Sequence, residues 1–127
     1  MISDIMRSDI VRIKDTDILS KALNIMHEHK INGAPVINEN GKLVGMIVKA
    51  DIYRFLMEEG HFDTCPVEWV MSKQVITAHK DEAIISAAKR LRENNIIAIP
   101  VVDDDLIVVG IISIEDIIDY IIKKSSK

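Results

Sequence analysis

The sequence predicts an α+β protein made of two tandem β-α-β-β-α units, and three observations carry that prediction. The first is a gapless internal repeat: an offset of 65 residues, set by Asp51 and Asp116, lays Ile5 to Leu56 on Val70 to Ile121. Met6/Met71, Ala22/Ala87, Ile31/Ile96, Pro35/Pro100, Gly45/Gly110, Ile47/Ile112 and Asp51/Asp116 are identical across it. A self-similar chain of this kind repeats one supersecondary unit. The second observation is helical spacing of apolar residues in each copy, and the third is a pair of β-branched runs, each opened by a proline.

Each copy begins with a short helical preface, Ile2 to Met6 or Val67 to Met71, and a brief strand near Ile10 to Ile13 or Val75 to Ala78. A helix follows, for which Asp15-Thr16-Asp17 and Asp81-Glu82 offer oxygens to free backbone N–H groups. Ile18, Leu19, Ala22, Leu23 and Met26 recur at helical spacing, as do Ala83, Ile84, Ala87, Ala88 and Leu91, so each helix buries one stripe. Ala34-Pro35-Val36-Ile37 and Ile99-Pro100-Val101-Val102 read as strands begun at a residue that cannot donate to a ladder.

Asn40-Gly41 marks a hairpin turn, because both residues tolerate positive φ; Asp103-Asp104-Asp105 takes its place in the second copy. The return strands are Leu43 to Val48 and Leu106 to Ile112, the latter apolar throughout and so expected to be covered on both faces. Second helices run from Lys49 to about Glu59, stopped by Gly60, and from Ser113 to about Lys124. This gives repeat 1 over residues 1–59, a linker at 60–66 and repeat 2 over 67–127. The copies are expected to fold as one module, their sheets packed together about a pseudo-two-fold axis.

Composition sets limits. Apolar residues make up 48% of the chain and aromatics only 4%, a sheet-containing globular mixture. A net charge of −4 argues against nucleic acid, which asks for a clustered basic face. Lys123, Lys124 and Lys127 form the one dense basic cluster and suit the negative end of the last helix. Cys65 stands alone, so no intrachain disulfide forms and a reducing, cytoplasmic location is expected. The longest apolar run, Leu106 to Ile114, is far short of the roughly 20 residues of a membrane span.

The chemistry concentrates where the return strand meets the last helix, at Gly110-Ile111-Ile112-Ser113-Ile114-Glu115-Asp116. A first-turn carboxylate can accept hydrogen bonds from two vicinal hydroxyls, and Ser113 adds a donor and acceptor. The same spacing also has the form of a capping box, in which Ser and the acid satisfy backbone N–H groups. The first copy, Gly45-Met46-Ile47-Val48-Lys49-Ala50-Asp51, has valine where the hydroxyl would be, so Asp51 is outside such a box.

The duplicated β-α-β-β-α unit, the Pro-Val strands and the Gly, apolar pair, Ser, two residues, Asp pattern resemble a cystathionine-β-synthase (CBS) domain pair over about Ile2 to Ile122. The resemblance implies a non-enzymatic regulatory module that binds an adenosine-containing ligand (AMP, ADP, ATP or S-adenosylmethionine) in clefts between repeats, without a catalytic cofactor or metal. Such pairs are usually appended to an enzyme, channel or transporter, but at 127 residues the chain is expected to be a stand-alone pair, and the resemblance implies a homodimer that signals to an effector protein. Carried over by position, the main site comprises Asp116, Ser113, Ile111, Ile10, Val11, Ile31 and Asn32. A weaker site comprises Asp51, Met46, Val75, Ile76, Ile96, Ile97 and Ala98. The apolar members suit an adenine ring, or are simply core. Basic residues that some members place just before the proline are missing here, so phosphates would fall to Arg7, Arg12, Lys14, Lys30 or Lys49, or to a second subunit, which argues against tight polyphosphate binding and leaves S-adenosylmethionine or a nucleoside monophosphate open.

Two other readings stand beside this one. A ligand-independent dimerisation module would keep the fold with its clefts filled, and Val48 and the missing basic residues favour it. A small metal-dependent hydrolase would need ligands from His61, Cys65 and the aspartate turn; His27 and His29, two apart on a helix, face different ways and cannot share a metal.

Overall fold

The structure is a computed structural model that describes residues 1–126. It contains a 3₁₀ turn at Ile2–Asp4, β1 (Ile13–Lys14), α1 (Leu19–Glu28), β2 (Gly33–Ile37), β3 (Leu43–Val48) and α2 (Lys49–Leu56). A second 3₁₀ turn at Val67–Trp69 precedes β4 (Ala78–His79), α3 (Ile84–Glu93), β5 (Ala98–Val102), β6 (Val108–Ser113) and α4 (Ile114–Ser125). Each copy builds one three-stranded sheet, ordered β1-β2-β3 or β4-β5-β6. The first pair in each sheet is parallel and the second antiparallel. This is the α+β class read from the sequence.

The two compact units are offset from the sequence repeats. One spans Val11–Val75 and the other joins Met1–Ile10 to Ile76–Lys127, so each preface packs with the body of the other copy. Backbone bonds fix the exchange: the N–H of Ile2 donates to Glu82 (2.9 Å) and that of Ser3 to Lys80 (3.0 Å). Val67 donates to Asp17 (2.8 Å) and Glu68 to Asp15 (3.1 Å) in the matching places. Ile2 and Val67 are fully buried, and each belongs to the core of the unit it has joined. In the Val11–Val75 unit Val67 lies with Ile13, Leu19, Met26, Val36, Ile47 and Ile52. In the other unit Ile2 lies with Ala78, Leu91, Ile99, Val101, Ile112 and Ile117.

Several local expectations need correction. The first strands start later than Ile10 and Val75, because pairing is confined to Ile13 and Lys14 opposite Val36 and Ile37, and to Ala78 and His79 opposite Val101 and Val102. The prolines just upstream of those partners have no N–H with which to lengthen the ladder. The acidic runs do not cap α1 and α3 either, since their N-caps are Ile18 and Ala83 and make no side-chain bond. Instead Asp17 accepts from the Lys14 N–H (3.1 Å) and Glu82 from the His79 N–H (2.7 Å), closing the strand-to-helix turn. The first N–H groups of α1 donate to backbone carbonyls, Leu19 to Cys65 and Ser20 to Asp63, each at 3.0 Å.

Both first helices end in the same left-handed cap, with Lys30 (φ 55°) and Asn95 (φ 52°) as the left-handed residues. Ile31 and Ile96 donate back to Met26 (3.0 Å) and Leu91 (3.1 Å), which is the Schellman pattern. α2 stops at Leu56, short of the expected Glu59, and Gly60 lies outside it. The ring of His61 closes this end by stacking on Phe55, centroids 3.8 Å apart, while its Nδ1 donates to the Phe55 carbonyl at 2.8 Å.

The second hairpin also departs from expectation. Leu106 and Ile107 are not in β6; Leu106 takes φ 63° in the turn, the position that Gly41 (φ 79°) fills in the first copy. Asn38 accepts from the N–H groups of Asn40 and Lys42, and Asp103 from those of Asp105 and Ile107. β6 itself alternates buried and half-buried positions, so it is not covered equally on its two faces.

Candidate functional site

The site is built on the junction of β6 and α4. Ser113 is the N-cap: its hydroxyl accepts from the Asp116 N–H (3.1 Å), and Asp116 Oδ2 accepts from the Ser113 N–H (2.9 Å). The capping box is therefore present, and it leaves the carboxylate with Oδ1 turned to another partner. That partner is Arg7, whose Nε donates to Oδ1 at 3.3 Å. The Asp116 side chain is only 10% exposed whereas that of Arg7 is 66% exposed, so a largely sheltered anion is neutralised by a cation that reaches in from solvent.

Arg7 is held there by backbone. It forms an isolated antiparallel bridge with Ile111, exchanging both N–H···O bonds at 2.9 Å, and so lies along the edge of β6. A Cβ on Gly110 would stand 2.7 Å from the Arg7 carbonyl oxygen and 2.6 Å from Met6 Sδ. The glycine of the repeated motif is thus explained by close approach of the preface. Gly45 shows the same arrangement, with Ser72 O and Met71 Sδ each 2.7 Å from a built Cβ. A groove of about 530 Å³ borders the cluster, with Asp4, Ile5, Asp116, Tyr120 and Lys123 among its walls.

The remaining main-site residues divide between the units. Ile10, Ile111, Ser113 and Asp116 lie in one; Val11, Ile31 and Asn32 lie in the other, where Val11 and Ile31 pack on the core and Asn32 is exposed. Among the weaker-site residues, Asp51, Met46 and Val75 belong to the Val11–Val75 unit, while Ile76, Ile96, Ile97 and Ala98 belong to its counterpart. Ile76 and Ile96 pack on the core there, and Ile97 is 77% exposed. Inside each unit the pre-strand segment is tied to the second helix: Lys49 N–H donates to Asn32 O (2.8 Å) and Ile114 N–H to Ile97 O (2.9 Å).

The two carboxylates differ in their surroundings. α2 has Val48 as its N-cap and no side-chain cap, and Asp51 pairs with Arg54 one turn along its own helix. The position equivalent to Arg7 is Ser72, whose backbone bridges Met46. What the sequence did not disclose is that Arg7 is the partner of Asp116. The close-approach glycine and the Arg7/Ser72 difference at one repeat position were its only signals.

Other candidates have local roles. His61 is engaged at the end of α2, and the aspartate turn is used by backbone N–H groups and by His79, whose Nε2 lies 2.6 Å from Asp104. Glu82 makes a bidentate pair with Arg90 (3.0 and 2.8 Å), and that guanidinium with the His79 N–H lowers the Glu82 carboxyl to about 2. Arg90 is raised in turn by Glu82. Among the described residues no group of three or more His, Cys, Asp or Glu could hold a metal ion, and no helix is long and apolar enough to cross a membrane.

A family model for the CBS domain matches residues 2–58 and residues 67–123. The chain belongs to the CBS domain family. It is similar to the solved CBS domain pair of protein MJ0100, which was crystallised with 5′-methylthioadenosine and S-adenosyl-L-methionine, at 35% identity and TM-score 0.81, covering 98% of this chain and 97% of that one. The structure of CBSX2 in complex with AMP has TM-score 0.85 at 23% identity, over 98% and 97% of the two chains, a likeness of fold. Among curated relatives, the L-aspartate semialdehyde sulfurtransferase of Methanocaldococcus jannaschii is 36% identical over 117 residues, 92% of this chain and 22% of that protein. The chain spans about a quarter of the length of the homoserine O-acetyltransferases and sulfurtransferases it matches.

Proposed function

We propose that this CBS pair is a ligand-sensing module that holds an adenosine-containing metabolite by its ribose at Asp116 and Ser113. One observation carries the reading: Asp116 presents a sheltered carboxylate whose backbone and side-chain geometry are fixed by the Ser113 capping box. Each carboxylate oxygen has two acceptor directions, so the box leaves capacity for both hydroxyls of a ribose. Similarity along nearly the whole chain to a pair crystallised with two adenosyl ligands supports the same class here. The module carries out no chemistry of its own; its output is a ligand-dependent conformation read by a partner protein, which requires the ligand to favour one conformation over another. Asp51, tied to Arg54 and lacking the serine, is the weaker position.

Titration calorimetry with AMP and S-adenosylmethionine tests the proposal. Binding tighter than millimolar, lost in Asp116→Ala, supports it, and no binding to the unaltered chain refutes it. A ligand-independent assembly module is the second reading, favoured by exposed Ile118, Ile121 and Ile122 on α4 and by Tyr53 and Met57 at α2. Under it the melting temperature would not rise with ligand concentration, as it must for any ligand that binds only the folded state. Dimerisation through these helices is compatible with both readings, and we propose it for this chain.

A further inference from the structure

We infer that two copies of this chain pair with α4 of each against α2 of the other, so that opposite charges meet. The inference rests on the proposed dimerisation through these helices and fixes which of them face each other. Both carry the same apolar stripe: Tyr53, Leu56 and Met57 along α2 and its end, and Ile118, Ile121 and Ile122 at the 65-residue offset on α4. Beside the C-terminal part of the stripe the charges invert. Asp119, Lys123 and Lys124 stand where Arg54, Glu58 and Glu59 stand at α2, and all six are exposed. Arg54 also holds Asp51 on its own helix.

Where one face pairs with itself about a two-fold axis, residues near the axis meet their own copies. α4 on α4 would set Lys123 and Lys124 against the same lysines, and α2 on α2 would set Glu58 and Glu59 against the same glutamates. α4 on α2 sets each pair against its opposite. Like charges face to face disfavour a pairing, and opposite ones fix its register. Glu58 and Glu59 also follow the end of α2, where the helix dipole disfavours acids, and facing lysines offset that. The prefaces differ in shape in the same sense. Asp4 borders the groove shared with Tyr120, Lys123 and Lys124, whereas the equivalent residue of the second preface is Trp69, largely exposed. Pairing α4 with α2 brings the indole of one copy to the groove of the other, a large aromatic anchor inside a charged rim.

The test is sedimentation equilibrium of the unaltered chain, of Lys123→Glu with Lys124→Glu, of Glu58→Lys with Glu59→Lys, and of all four substitutions together. The four side chains are exposed, so the variants retain the fold, which circular dichroism checks. At low salt each double variant is expected to dimerise roughly tenfold more weakly than the unaltered chain, the effect of several reversed surface pairs. The fourfold variant should recover the unaltered affinity, because its charges are exchanged as a set, and the differences should shrink in high salt. Emission of Trp69, the single tryptophan of the chain, should move to shorter wavelength on dimerisation. Double variants that dimerise as well as the unaltered chain, a fourfold variant that fails to recover, or Trp69 emission that is the same in monomer and dimer overturns the inference and leaves dimerisation standing. An unaltered chain that stays monomeric removes dimerisation itself, and the inference with it.

Discussion

Replacing Gly110 by alanine tests the link between the preface and the site. The new Cβ would meet the Arg7 carbonyl oxygen at 2.7 Å and Met6 Sδ at 2.6 Å, against the 3.4 Å at which ordinary contact begins. Met6 can turn its thioether away. The carbonyl cannot, because Arg7 is bridged to Ile111 on the same edge, so the preface must retreat by several tenths of an ångström and stretch two 2.9 Å hydrogen bonds. Overpacking of this kind costs about 1–3 kcal/mol. Alanine regains up to about 1 kcal/mol over glycine in a strand, leaving a net loss of roughly 1–2 kcal/mol. For a chain of this size that is a fall in melting temperature of about 3–8 °C. Differential scanning calorimetry reads the fall. A variant that melts within 1 °C of the unaltered chain would refute the account of how the preface and Arg7 are placed.

Three further outcomes are expected. Glu82, whose carboxyl is lowered to about 2 by Arg90 and the His79 N–H, contributes stability that is fully present above its unfolded value near 4.5 and is lost as pH falls through about 2. Glu82→Gln should cost roughly 2 kcal/mol at pH 7, after discounting for partial exposure, and should flatten the acid limb in urea melts between pH 4.5 and 2. Leu106→Gly removes a left-handed leucine that costs about 1–2 kcal/mol and gives back about 0.5–1 kcal/mol in chain entropy, so it should stabilise by roughly 0.5 kcal/mol; a lower melting temperature would contradict this. If the proposed dimer forms through α4, Ile118→Asp with Ile121→Asp should turn it into a folded monomer by sedimentation, since both side chains are half exposed on that helix.

Most of the fold was legible because the two copies check one another. A strand or helix suggested by Pro35, Ala22 or Ile47 is repeated at Pro100, Ala87 or Ile112, and both members of each pair are in the expected element. What escaped were features decided by long-range backbone contact. The exchange of Ile2 and Val67 into the opposite cores leaves no periodicity to read, since a three-residue 3₁₀ turn is too short to have one. The acids at Asp17 and Glu82 have the spacing of helix caps but satisfy strand N–H groups, and at α1 the first-turn N–H groups find their acceptors in residues 63–65, far along the chain. Leu106 reads as strand in the sequence because its turn position favours glycine and a leucine there gives no such signal.

The candidate site divides the same way. Ser113 and Asp116 were legible as a hydroxyl and a carboxylate at one helix start, and their capping bonds follow from spacing alone. Arg7 was visible only as one of five scattered basic residues, because its pairing with Asp116 joins positions 109 apart in sequence.

The most direct test of the whole account is calorimetric titration of AMP into Asp116→Asn and Asp51→Asn side by side. Asparagine keeps the size of the side chain and an oxygen for the helix start while removing the charge. The account predicts at least a tenfold loss of affinity for Asp116→Asn, the scale of a charge-assisted contact, with Asp51→Asn close to the unaltered chain. Equal affinity in Asp116→Asn, or a loss confined to Asp51→Asn, would contradict it.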